Sequence, residues 1–135
     1  MIPVLGEIIM ILAGRLMILR SLRKGLHIND LEDDYLSLVS EQMKYQGYLW
    51  SFLSTLRCCA FEDVSEIYRI IGNIGLPVLM ISGSEDPFIT PSVRHRMGEF
   101  IAKLEYKEVL CTGHAPHFER PEEVSRLLIH FISSS

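Results

Sequence analysis

Residues 77–87 read Pro77-Val78-Leu79-Met80-Ile81-Ser82-Gly83-Ser84-Glu85-Asp86-Pro87. A continuous apolar run bounded by proline and glycine is the pattern of a strand buried on both faces. The acidic turn that follows sets Asp86 beside Pro87, just past the strand's C-terminal end. Thr90-Pro91 then opens a helix, with threonine as N-cap and proline at the first helical position. Val93, Met97, Phe100, Ile101 and Leu104 supply its expected apolar stripe. Residues 107–111 are expected to form a second short strand. Pro121, followed by Glu122 and Glu123, starts a last helix whose apolar face carries Val124, Leu127, Leu128, Phe131 and Ile132. The order strand–helix–strand–helix predicts an α/β fold with two parallel strands joined by a right-handed crossover.

Open α/β sheets place their sites at the C-terminal ends of strands. Beyond the second strand the chain reads Gly113-His114-Ala115-Pro116-His117-Phe118-Glu119-Arg120-Pro121-Glu122-Glu123-Val124. An acid at one strand end and a histidine at the next can meet across a short gap. The carboxylate then accepts the imidazole Nδ1–H, fixes its tautomer and stabilises the imidazolium formed when Nε2 takes a proton from a nucleophile.

These two segments carry a resemblance. Residues 78–91 (VLMISGSEDPFITP) are similar to the acid-bearing strand and loop of the α/β-hydrolase superfamily. Residues 111–124 (CTGHAPHFERPEEV) look like that family's histidine loop, with the acid preceding the histidine in the chain as the family requires. By motif position the resemblance puts the family's acid on Asp86 and its base on His114. Glu85 and His117 are the neighbours that could be confused with them. The family's nucleophile elbow, G-x-S-x-G, occurs nowhere in the sequence, since Ser84 lies in the acid loop without the strand–Ser–helix context an elbow needs. The loops that make the oxyanion hole belong to earlier segments of the family. The resemblance therefore implies the C-terminal portion of a hydrolase of ester, amide or carbon–carbon bonds, inactive alone. A non-catalytic, dimeric binding module derived from a truncated hydrolase is the alternative.

The first half reads as helical, over residues 7–23, 31–43, 48–56 and 61–71, with Gly25, Gly47 and Gly72 at the ends. Asn29 or Asp30 is expected to cap the second of these. The expected organisation is a helical cap-like region over 1–72 and a βαβα part of a hydrolase core over 73–135. Tyr48, Trp50 and Phe52 are expected to pack within the cap.

The 135 residues are 48% hydrophobic and 22% charged, with a formal net charge of −4. No basic patch suggests nucleic acid. Residues 2–19 are very apolar, but Arg15, Arg20, Arg23 and Lys24 lie within or after the run rather than before it, unlike a signal peptide. Glu7 and Arg15 interrupt it as a membrane span. A buried helix is expected, with peripheral membrane contact the lesser reading. Three cysteines, Cys58, Cys59 and Cys111, make no disulfide framework and point to reduced thiols in a cytoplasmic setting. His114, His117 and Glu119 are residue types that can ligate a metal, but Pro116 breaks their helical register and no fourth ligand stands out, so no metal and no cofactor is expected.

Two strands cut from a larger sheet would leave an edge unpaired. Self-association as a homodimer, or a complementing N-terminal hydrolase half, is the expected partnership, with a small apolar ester-like substrate if the site is completed.

Overall fold

The computed structural model describes residues 3–58 and 63–134. The chain falls into two units, Met1–Lys24 with Asp30–Glu62, and Gly25–Asn29 with Asp63–Ser135.

The first unit is all helical. Helix α1 spans Pro3–Gly25, α2 Glu32–Gln42 and α3 Tyr48–Cys58. Met10 and Ile18 of α1 are buried, as are Leu36 of α2 and Met43 just beyond it. Ion pairs join Arg57 to Glu7 (3.2 Å) and Arg23 to Glu32. A 3-10 turn at Asn29–Leu31 leads into α2, so the N-cap is Leu31 and makes no side-chain cap bond. The expected cap at Asn29 or Asp30 falls in that turn, one or two residues too early. The acidic first turn, Glu32, Asp33 and Asp34, still complements the helix dipole. Among the described residues no helix is long and apolar enough to cross a membrane.

In the second unit, helix α4 (Ser65–Ile74) begins where Asp63 Oδ1 accepts the Ser65 N–H at 3.0 Å and ends on Gly75 in the left-handed region. The expected start of this helix, residue 61, lies outside the described residues. Strand β1 (Val78–Gly83), helix α5 (Pro91–Phe100), strand β2 (Leu104–Val109), the short α6 (Pro116–Glu119) and α7 (Pro121–Ser134) follow. The strands are parallel, pairing Val78 with Leu104 through to Gly83 with Val109. Thr90 caps α5 by accepting the Val93 N–H at 3.4 Å. Helix α5 ends at Phe100, so Ile101 and Leu104 are not part of its stripe. Ile101 is buried after the helix, and Leu104 opens β2.

The second strand therefore lies three residues earlier at its start than expected. Leu110 is exposed and Cys111 takes a positive φ of 56°, so the chain turns immediately after the fully buried Val109. The turn is held in register from β1: Ser84 N–H donates to the Val109 carbonyl (3.0 Å) and Glu85 N–H to that of Thr112 (2.9 Å). Gly83 permits this approach, because a Cβ there would stand 2.1 Å from the Thr112 oxygen. The C-terminal ends of both strands are thereby laced together, and the two following loops lie side by side.

Candidate active site

Asp86 and His114 meet. The Asp86 Oδ2 stands 2.9 Å from the His114 Nδ1. The other carboxylate oxygen, Oδ1, accepts the backbone N–H groups of Phe88 (2.8 Å) and Ile89 (3.2 Å), which fixes the plane of the carboxylate. The Asp86 side chain is only 2% exposed, whereas that of His114 is 48% exposed. Burial pushes the Asp86 carboxyl up. The hydrogen bonds from His114, Phe88 and Ile89, with the nearby imidazole charge, outweigh it and hold the group below the ordinary carboxylate range. Asp86 is thus an ionised acceptor, and His114 most simply presents Nδ1–H to it. That leaves Nε2, on a half-exposed ring, as the nitrogen able to take a proton. Phe88 packs against the imidazole edge-to-face at 4.8 Å between ring centres.

The neighbouring candidates do not join this pair. Glu85 is exposed and accepts the Ser84 hydroxyl at 3.2 Å. Ser84 Oγ in turn accepts the Cys111 N–H at 2.9 Å, so its place is in the lacing of the two loops. His117 is exposed on α6. Among the described residues no group of three His, Cys, Asp or Glu side chains is arranged to hold a metal ion. Cys58 and Cys111 are exposed free thiols, and Cys59 lies outside the described residues.

Three features of the site escape sequence reasoning. The first is Glu119, buried at 4% exposure, which accepts three backbone N–H groups: His27 (2.9 Å) and Ile28 (2.8 Å) on Oε2, and Gly113 (2.7 Å) on Oε1. The second is the segment Gly25–Asn29, which comes to lie behind the histidine. The His114 N–H donates to the Gly25 carbonyl at 2.6 Å. The third lies along the strands, where the buried Ser82 hydroxyl bonds Tyr106 Oη (2.7 Å), which accepts from Arg94 (2.9 Å) and donates to Glu108 (3.1 Å). In the first unit, Tyr48 and Phe52 line a groove of about 610 Å³ with Gln42, Tyr45, Ser51 and Thr55, while Trp50 is exposed.

An acid and a histidine on the loops after two adjacent parallel strands are the arrangement found in α/β-hydrolases. No family model matches the chain. Over 92 residues the chain is 32% identical to a protein of Mycobacterium tuberculosis (strains CDC 1551 / Oshkosh and H37Rv alike) that carries the name non-heme bromoperoxidase BpoC. That stretch is 64% of this chain and 34% of the relative. Among solved structures, the enol-lactonase from Burkholderia xenovorans LB400 superposes with a TM-score of 0.74 at 18% identity, covering 98% of this chain and 50% of the lactonase. MGS-M2, an α/β-hydrolase from a Medee basin deep-sea metagenome library, gives 0.67 at 19% identity, over 98% of this chain and 52% of its own. The M. tuberculosis protein itself gives 0.64 at 22%, over 89% and 45%. The chain carries part of the α/β-hydrolase fold. It spans about a third of the length of the curated relatives and about half of each solved structure.

Proposed function

We propose that this chain supplies the acid–base half of a hydrolase site, Asp86 orienting His114 and His114 acting as general base and then acid. The observation that carries this reading is the 2.9 Å contact between Asp86 Oδ2 and His114 Nδ1, formed at the ends of paired parallel strands. The reaction class is hydrolysis of an ester, amide or carbon–carbon bond. The nucleophile and oxyanion donors come from a segment bearing the G-x-S-x-G elbow, which this sequence lacks. The chain alone is inactive, and the helical first unit corresponds to the cap region, the part that would select a small apolar substrate.

A chimera tests this. The chain replaces the matching stretch of the M. tuberculosis relative, and p-nitrophenyl ester turnover is followed. The chimera turns over ester, and His114→Ala lowers the rate by about 10²–10⁴-fold, the range a positioned acid–base group contributes. Turnover indifferent to His114→Ala and Asp86→Asn sinks the reading. Turnover by the isolated chain, lost in His114→Ala, would overturn the claim that it is inactive alone.

A second reading, a non-catalytic module that associates with its own copy, is favoured by one observation. Ile8, Ile11, Leu12, Leu16 and Met17 of α1 are all exposed, an apolar display larger than scattered surface residues provide.

A further inference from the structure

We propose that Glu119 is the positioning residue of this site: by gathering the N–H groups of His27, Ile28 and Gly113, its buried carboxylate clamps the backbone around His114 and keeps the imidazole facing Asp86 as the Nδ1–H tautomer. The inference rests on the acid–base reading above and adds to it a residue that touches neither Asp86 nor the imidazole ring.

The bonds form a closed circuit. Glu119 Oε1 takes the N–H of Gly113, the residue before His114. The N–H of His114 itself goes to the Gly25 carbonyl, and Glu119 Oε2 takes the N–H groups two and three residues beyond Gly25. Both strands of backbone that flank the histidine are therefore tied to one carboxylate. The fit is tight. A Cβ on Gly113 would stand 2.0 Å from the Gly25 oxygen, and one on Gly25 would stand 3.2 Å from the His114 Cβ. The clamp and the histidine are linked through the backbone of Gly25 and Gly113.

The chemistry requires a carboxylate at this position. Three donors converge, and an ionised carboxyl group is acceptor-only on both oxygens. Glutamine would offer one oxygen and turn an NH₂ toward at least one of the N–H groups, leaving a buried donor unpaired. Hydrogen bonds to a charged acceptor are also the stronger kind. With the clamp loosened, the loop can shift by a fraction of an ångström, enough to misalign a half-exposed imidazole from its partner.

The test is the ring-nitrogen NMR spectrum of the full chain carrying ¹⁵N-histidine, which distinguishes the two neutral tautomers directly. In the wild type, His114 is found as the Nδ1–H form. In Glu119→Gln, folded by its amide spectrum, the ratio of Nδ1–H to Nε2–H form falls by roughly fivefold, the size of one net hydrogen bond. Asp86→Asn gives the reference in which the preference is lost. A folded Glu119→Gln protein with an unchanged tautomer ratio overturns the proposal and leaves Glu119 a purely structural anchor.

Should Glu119→Gln fail to fold, the wild type decides the matter under rising urea. The His114 Nδ1–H signal and the exchange protection of the His27, Ile28 and Gly113 amides are lost together. Loss of the ring signal while the three amides stay protected overturns the proposal. Neither readout uses turnover, so failure here leaves the acid–base reading standing, and an inactive chimera leaves this inference standing.

Discussion

Gly113 lies against Gly25 so closely that a methyl group on Gly113 would sit 2.0 Å from the Gly25 carbonyl oxygen and 2.9 Å from the His27 nitrogen. Both obstacles are backbone and neither can swing aside. Gly113→Ala therefore lowers stability by about 1–3 kcal/mol, the usual scale of overpacking, read as a lower urea midpoint. Gly98→Ala is the contrast. Gly98 lies inside α5 with nothing within 4 Å of its would-be Cβ. There the substitution raises stability by about 0.5–1 kcal/mol through helix propensity. A Gly113→Ala chain as stable as wild type would show that the two loops are not in contact.

Asp86 gives the protein an acid-sensitive component of stability. Its carboxyl titrates at the ordinary value of 3.8 when the chain is unfolded and lower when folded. The folded state thus binds this proton less readily, and the component is fully present above that value. It is lost as pH falls from 3.8 through the lower folded-state pKa. Unfolding free energies of wild type and Asp86→Asn, measured in urea from neutral pH downward, should differ by a constant amount above this window and converge within it. A difference that stays constant through the window contradicts the assignment of Asp86 as the buried, ionised partner.

Tyr106 holds a hydroxyl that little else can reach. Ser82 is 2% exposed and its Oγ bonds Tyr106 Oη at 2.7 Å. Tyr106→Phe strands the serine hydroxyl and costs about 1–3 kcal/mol. Adding Ser82→Ala removes the stranded group and recovers part of the loss. The double-mutant cycle therefore shows a coupling of about 0.5–3 kcal/mol, whereas strict additivity would mean the hydroxyls act independently.

Self-association follows from the second functional reading. Sedimentation velocity should show a dimer at micromolar concentration, and Leu12→Glu, at a side chain 80% exposed on α1, should shift it to monomer. A dimer indifferent to Leu12→Glu would point to the edge of β1 instead. A monomer in the wild type ends the proposal of self-association.

Much of the acid–histidine geometry was legible because it is written locally. Asp86-Pro87 sits directly after an apolar strand, and Gly113-His114 precedes a proline-opened helix, so each loop and its polar side chain come as one phrase. The second strand was harder. Leu104, Glu105, Tyr106 and Lys107 alternate too weakly to announce a strand, while Val109-Leu110-Cys111 look strand-like but straddle a turn. Register there is set by Gly83 and the β1 backbone, which local periodicity does not record. Glu119 was opaque for a deeper reason. Its partners are main-chain N–H groups, and two of them lie 92 and 91 residues earlier. No side-chain pattern betrays such donors.

Those long separations bear on how the protein is made. Strands β1 and β2 and the Asp86 loop can associate once residues up to Val109 have emerged from the ribosome. The histidine cannot settle until Glu119 has emerged and captured a stretch of chain translated long before it. Closing so wide a span is entropically slow compared with pairing neighbours. During synthesis, then, the Gly25–Asn29 stretch has to remain available, and the histidine site is assembled only after the strands that carry it.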